Sequence, residues 1–305
     1  MKTKLIYSLF ILALLSCKVE DKQASTSIKT IVCTTGMLGD AVEHIVGPNV
    51  EVITLMGPGV DPHLYKATQG DLKSLTNADV IVYNGLHLEG KMGEIFEKLE
   101  KQKHIIVAAE GLTEEEYINN TEFQGAQDPH IWFDVALWSK AVQHIGTELA
   151  QLSSDSLAIT FKTNTKSYTA QLLQLNTSVQ QEVNKLDSSK RILITAHDAF
   201  GYFGRAYNFK VRGLQGISTT SEYGLKDVSD LVNYIVHNEI KAVFVESSVS
   251  EKSLQAVVEG CLQKGHQVKI GGQLYSDAMG DAETVEGTYI GMVQHNVKTI
   301  VEGLQ

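Results

Sequence analysis

The sequence predicts an α/β protein of two lobes, each a roughly four-stranded parallel sheet flanked by helices, joined by one long backbone helix. Three observations predict it. Short apolar runs alternate with longer amphipathic segments, the pattern of βαβ units. That alternation occurs twice, with about four runs in each set. Between the sets, from Thr147 to Phe200, there is neither glycine nor proline.

The elements follow in chain order. Lys2 and Lys4 precede an apolar run, Leu5 to Leu15. At eleven residues it falls short of the roughly 20 needed to span a bilayer and has the length of a secretory leader. It ends in Leu14-Leu15-Ser16-Cys17, which looks like a bacterial lipobox. We therefore expect a signal peptide over 1–17 that ends at a lipidated Cys17; an ordinary leader with a chance cysteine is the alternative. Residues 18–27 are polar and without apolar periodicity, as in a tether.

The first lobe is expected over 28–147. Its strand-like runs are Thr30 to Cys33, Val50 to Leu55, Val80 to Tyr83 and Ile105 to Ala108. Each but the last leads into a glycine-containing loop and a helical pattern. The polar segment Gly111 to Gln127 reads as a loop. The link is expected over 148–187. Within it Phe161, Tyr168, Leu172, Leu175, Val179, Val183 and Leu186 recur with helical period. One helix from about Ser156 to Leu186 would be roughly 45 Å long at 1.5 Å per residue. It would act as a strut and keep lobe motions small; two helices broken near Thr163 to Thr165 are the alternative. The second lobe, 188–305, repeats the scheme with Ile192 to Thr195, Val211 to Leu214, Ala242 to Val245 and Val268 to Ile270.

The net charge of −10 becomes more negative by two once the leader lysines are removed. An acidic chain without a basic run is a poor nucleic-acid binder. Beyond Cys17 only Cys33 and Cys261 remain. A disulfide between them is possible in an oxidising compartment, but nothing in the sequence places them together, and two buried thiols are the favoured reading.

Ten histidines are present. His44, His104, His144, His237, His266 and His295 lack acidic or histidine partners at ligand spacing and read as ordinary polar residues. Three others share a context. His63 and His130 each close an Asp-Pro-His, at Asp61-Pro62-His63 and Asp128-Pro129-His130. His197 directly follows the strand Ile192 to Thr195. Asp277 follows the last strand through Gly271-Gly272-Gln273-Leu274-Tyr275-Ser276. Binding residues in open α/β sheets emerge at the carboxyl ends of strands; His130, on a loop leading into a helix, is the exception. Proline holds each preceding aspartate extended. Three imidazoles and a carboxylate would suit Zn²⁺, and also Mn²⁺ or Fe²⁺. By spacing alone, a metal site and a chance grouping are about evenly matched.

At these residues the sequence resembles the solute-binding proteins of zinc, manganese and iron ABC transporters, most closely the TroA-type zinc/manganese receptors. The matching segments include GVDPHLYKATQGDL at 59–72, YNGLHLEGKMGE at 83–94, DPHIWFDVALWS at 128–139, TAHDAFGYFGRAY at 195–207, VFVESS at 243–248 and GGQLYSDAMGD at 271–281. They run through the whole chain beyond the tether. The resemblance implies two lobes on one long helix, with a single cargo ion in the cleft held by His63, His130, His197 and Asp277. Many manganese and iron relatives carry glutamate at the third position, so His197 tilts the reading toward Zn²⁺ with Mn²⁺ next. The segment Gly111 to Gln127 is acidic but lacks the histidines that dedicated zinc receptors often carry. His87 is left structural, and Glu246 is a candidate outer acceptor for a ligand histidine.

The implied function is capture of a divalent metal outside the cytoplasm and delivery to an ABC permease and its ATPase, without catalysis. The protein would be a monomer held to a bacterial membrane by its lipid, with no nucleic-acid partner. Because metal must displace protons from imidazoles, and histidine ordinarily titrates near 6.5, affinity is expected to fall as pH drops through about 6. Two other readings stay open. A zinc hydrolase would need an open coordination position and a nearby base, for which Asp61, Asp128 or Asp198 are candidates; no H-E-x-x-H helix is present. An added adhesin role is the other.

Overall fold

The computed structural model describes residues 28–119, 125 and 127–305. The leader, Cys17 and the tether lie outside the described residues. In chain order the elements are β1 (Thr30–Cys33), α1 (Gly36–Val46), β2 (Glu51–Thr54), α2 (Gln69–Asn77), β3 (Val80–Tyr83), α3 (Gly93–Leu99), β4 (His104–Val107), α4 (Val135–Leu152) and α5 (Asp155–Val183). There follow β5 (Ile192–His197), α6 (Gly201–Tyr207), β6 (Lys210–Gln215), α7 (Leu225–His237), β7 (Ala242–Glu246), α8 (Lys252–Gln263), β8 (Lys269–Leu274) and α9 (Tyr289–Leu304).

The strands form two sheets of the same plan, β2-β1-β3-β4 and β6-β5-β7-β8. All pairings are parallel. The central strands β1, β3, β5 and β7 are nearly continuous buried runs, as strands covered on both faces must be. The edge strands β2, β6 and β8 are largely exposed or half-buried. Strand order reverses at β1 in one sheet and at β5 in the other. Such switch points open crevices at the carboxyl ends of the strands.

Two strands run further than their apolar patterns. β5 extends to include His197. β8 continues through Gly271 and Gly272 to Leu274. A Cβ at Gly271 would lie 2.7 Å from the Phe244 ring, so the strand there is shaped by close packing and carries no apolar side chain to announce it.

Helix α5 has 29 residues, about 44 Å at 1.5 Å per residue. It is unbroken through Thr163 to Thr165 and links the lobes. Its buried stripe is Phe161, Thr165, Tyr168, Leu172, Leu175, Val179 and Val183. It ends three residues before Leu186. Helix α4 crosses residue 148 and packs along α5. Asp134 caps α4, accepting the N–H groups of Ala136 and Leu137 at 3.1 Å each.

The main core belongs to both halves. It joins Ile31 and Val80 of the first sheet with Leu193 and Phe244 of the second, through α1, α4, α5 and α9. Smaller cores lie under α2 and α3, around Val32, Ile81 and Phe96, and under α7 and α8, around Ile194, Ile235 and Val257. Cys33 sits in the main core and Cys261 in the last of these; both are buried and free.

Candidate metal centre

The candidate side chains reach the cleft from strand ends, from a pair of matching turns and from a braced loop. His197 ends β5 at the switch point, and Glu246 ends the neighbouring β7. His63 and His130 stand on matching turns. In each, the aspartate two residues earlier accepts the histidine N–H: Asp61 Oδ1 from His63 and Asp128 Oδ1 from His130, both at 2.9 Å. This local bond is the turn-forming habit of aspartate. Asp277 follows β8 on a loop fixed from two sides. The Asn296 side chain accepts the Tyr275 N–H at 2.9 Å and donates to the Tyr275 carbonyl at 2.7 Å. The indole of Trp132 donates to the Ser276 carbonyl at 3.0 Å.

The result is a tight, dry cluster. His63 is 3 % exposed, Asp277 2 %, and His130 and His197 not at all. One ligand-type atom from each of the four lies within 4.8 Å of all the others. His130 Nε2 is 3.3 Å from Asp277 Oδ1, and His197 Nε2 is 3.3 Å from Asp277 Oδ2. His63 Nε2 is 3.4 Å from His130 Nε2 and 3.9 Å from Asp277 Oδ2. Neither Asp277 oxygen nor His197 Nε2 makes an aligned hydrogen bond. Buried polar atoms in that condition are costly, and a divalent cation among them would satisfy all of them. Three imidazole nitrogens and a carboxylate are a donor set that fits Zn²⁺.

Two carboxylates back the histidines. Asp128 Oδ1 accepts from His130 Nδ1 at 2.7 Å as well as from its N–H. Glu246 Oε2 is 2.5 Å from His197 Nδ1, while Oε1 accepts the His197 N–H at 2.8 Å. Such partners fix the tautomer and direct Nε2 inward. Glu246, which the sequence suggests as an outer acceptor for a candidate ligand histidine, thus stands against His197. The sequence offers Asp128 as a possible base and as the extended residue before Pro129; its place in Asp-Pro-His, two residues before the histidine, is the signal for this contact. Glu89 was not found at all. It is buried and accepts from Thr34 Oγ1 at 2.7 Å and the Asn84 N–H at 2.8 Å. Asn84 Nδ2 in turn donates to the Pro129 carbonyl at 2.9 Å, so the β3 end supports the His130 turn.

The electrostatic surroundings differ from one histidine to the next. Desolvation pushes His63 down to about 3, aided by the neighbouring histidines and opposed by Asp277. Desolvation also opposes the charged form of His130, but Asp128 and Asp277 outweigh it and lift the group to about 9. At His197 desolvation is likewise overcome, by Glu246 and Asp277, and the group is raised well above its usual value. Desolvation of Asp277 is overcome by the three histidines, with His197 foremost, so its carboxyl lies well below the usual range. The carboxylates thus favour the protonated form of His130 and His197, and an incoming divalent ion must compete with those protons.

Two histidines set aside in the sequence do have acidic neighbours. His44 Nδ1 is 3.6 Å from Asp40 Oδ2, and the ring stacks on Tyr168 at 4.1 Å. His295 Nδ1 is 3.6 Å from Glu286 Oε1. Both are away from the cluster. His87 lines the cavity that opens beside His63.

Comparison with known proteins gives a consistent picture. The family model described as zinc-uptake complex component A, periplasmic, matches residues 31–303. The manganese-binding lipoprotein MntA of Bacillus subtilis (strain 168) is 50% identical over 275 residues, covering 90% of this chain and 89% of that one. The zinc-binding protein TroA of Treponema pallidum (strain Nichols) is 46% identical over 284 residues, covering 93% and 91%. The solved structure of the periplasmic zinc-binding protein TroA from Treponema pallidum has a TM-score of 0.88 at 46% identity, covering 91% of this chain and 99% of that chain.

Proposed function

The chain belongs to the periplasmic zinc-uptake component A family, and we propose that it captures one divalent transition-metal ion with His63, His130, His197 and Asp277 and delivers it to an ABC permease for import. The observation that carries this reading is the convergence of four buried donors, two of whose residues present polar atoms without hydrogen bonds. Asp128 and Glu246 hold two of the imidazoles in the binding tautomer. Four protein donors favour a closed cargo site over a hydrolase, which keeps a position for water.

Zinc is the proposed cargo, with manganese next. His197 and the three-imidazole set support zinc, while relatives are named for each ion. Zinc outranks manganese at almost any nitrogen and oxygen site, so tight zinc binding alone identifies the site and not the transported ion.

Lipidation of Cys17 is supported by relatives named as lipoproteins. No helix among the described residues is long and apolar enough to cross a membrane. We take the protein to act as a monomer outside the cytoplasm, on a domain plan of tether 18–27, lobes 28–147 and 188–305, and link 148–187. The shared core supports small lobe motions during loading and release.

The test is chelator stripping followed by calorimetric titration with Zn²⁺ and Mn²⁺, in wild type and His197→Ala. One ion per chain is expected, with a loss in the variant beyond the roughly 10–100-fold typical of an outer partner. No binding by wild type, or unchanged affinity in His197→Ala, would overturn the reading.

A further inference from the structure

His63 stands apart from the other three donors. Alone among them, it lines a cavity of about 520 Å³ walled by Leu86, His87 and Pro129 on one side and Ile217 and Ser218 on the other. The His130 turn is clamped by the C-terminal half through several bonds. Trp132 Nε1 donates to the Ser276 carbonyl at 3.0 Å, Tyr289 donates to the Trp132 carbonyl at 2.7 Å, and Tyr202 to the Asp128 carbonyl at 3.1 Å. His197 is part of a central strand, and Asn296 brackets the residue two before Asp277. The way in and out therefore runs past His63.

The His63 turn is tied across the cleft by a different and slighter means. Asp61 Oδ1 holds the His63 N–H at 2.9 Å. The other oxygen of the same carboxylate accepts the Thr219 hydroxyl at 2.6 Å, from the opposite lobe and 158 positions away. One carboxylate thus shapes the turn with one oxygen and anchors it with the other.

We infer that Thr219 is a positioning residue for release: its hydroxyl latches the Asp61 turn, and with it His63, over the bound ion, and so sets the rate at which the ion leaves. This rests on the metal-capture reading above. Thr219 touches no donor atom itself. It acts through Asp61, so removing its hydroxyl leaves all four donors in the chain while freeing the loop that carries one of them.

The experiment is stopped-flow release of Zn²⁺ from loaded protein into excess EDTA, with wild type, Thr219→Val and Thr219→Ser. Thr219→Val keeps shape and loses the hydroxyl; Thr219→Ser keeps the hydroxyl. Release is expected to be about tenfold faster in Thr219→Val, the scale of a hydrogen bond to a charged acceptor, and close to wild type in Thr219→Ser. Stoichiometry should not change in either variant, and Thr219→Ser should keep the urea midpoint of the metal-free wild type, because it keeps the hydroxyl. An unchanged release rate in Thr219→Val, or equal acceleration in Thr219→Ser, overturns the latch and leaves metal capture intact. Wild type that binds no zinc overturns both.

Discussion

Two conservative substitutions, Glu246→Gln and Asp128→Asn, make the same chemical change behind two donor histidines, yet the geometry predicts unequal losses. Asp128 uses one oxygen, Oδ1, for both the His130 N–H and Nδ1. An asparagine can place its carbonyl oxygen there and keep both contacts. Its amide then lies where Asp128 Oδ2 was, against Gly201, which has no side chain to obstruct it. Only charge assistance is lost, about 1 kcal/mol or roughly fivefold in affinity. Part of that cancels near pH 7, because removing the charge also loosens the proton that competes with the metal at His130.

Glu246 instead faces His197 with both oxygens, Oε1 accepting the N–H and Oε2 lying in ion-pair contact 2.5 Å from Nδ1. A glutamine offers one acceptor and one donor. Whichever way it turns, an amide N–H faces a buried N–H of His197. A buried donor left unsatisfied costs about 1–3 kcal/mol. Removing this charge also loosens the competing proton, here at His197, so the net loss in metal binding for Glu246→Gln near pH 7 should be about 1–2 kcal/mol, or roughly 5- to 30-fold, still larger than for Asp128→Asn. Competition titration against a chromogenic zinc chelator at pH 7.5 measures both variants, with urea midpoints of the metal-free proteins as folding controls. Equal losses, or a larger loss in Asp128→Asn, would refute the assignment of acceptor atoms.

Other outcomes follow from the same coordinates. Because His130 is lifted to about 9 and His197 is raised well above its usual value while His63 is lowered to about 3, zinc binding at pH 7 should release about two protons. Affinity should climb with pH toward 9 instead of levelling off above 6.5, and calorimetry in buffers of different ionisation enthalpy with no net proton release would contradict this. The raised His130 also stabilises the metal-free fold below its unfolded value near 6.5, a contribution lost as pH rises through about 9, so the metal-free Tm should fall across that window in a thermal melt. Gly213→Ala would put a Cβ 2.4 Å from the Asp198 nitrogen and 2.5 Å from the His197 carbonyl carbon; since both are backbone, we expect at least about 1–3 kcal/mol of destabilisation with weaker zinc binding, and a wild-type urea midpoint would exclude it. Saturating zinc at about 1,000 times its Kd should add about 4 kcal/mol, and chelator should return the Tm to that of the stripped protein; a Tm indifferent to chelator would mean the ion does not bind the folded state preferentially.

The sheets were legible because seven of the eight strands have apolar runs that bounded them to within a residue or two, and the central ones are buried on both faces. β8 was read short because Gly271 and Gly272 contribute close packing against Phe244 and Thr299, which leaves no hydrophobic pattern. The long helix was legible from one buried stripe; its end was misread because Leu186 is buried just past the last helical turn. The four cleft residues stood out through Asp-Pro-His turns and strand ends. Glu89 did not, because its carboxylate is explained only by Thr34 and Asn84, brought to it by the sheet. Histidine titration could not be read either: desolvation lowers His63 despite Asp277, whereas at His130 the added carboxylate of Asp128 outweighs it.

The core that runs from Ile31 through α4 and α5 to Phe244 also bears on how the chain comes apart. With α5 supplying one apolar stripe to both halves, neither lobe can melt and leave its partner with a covered face. Unfolding should therefore be a single cooperative transition, and an ion held at the cleft would protect amides as distant as those of α8 from hydrogen exchange.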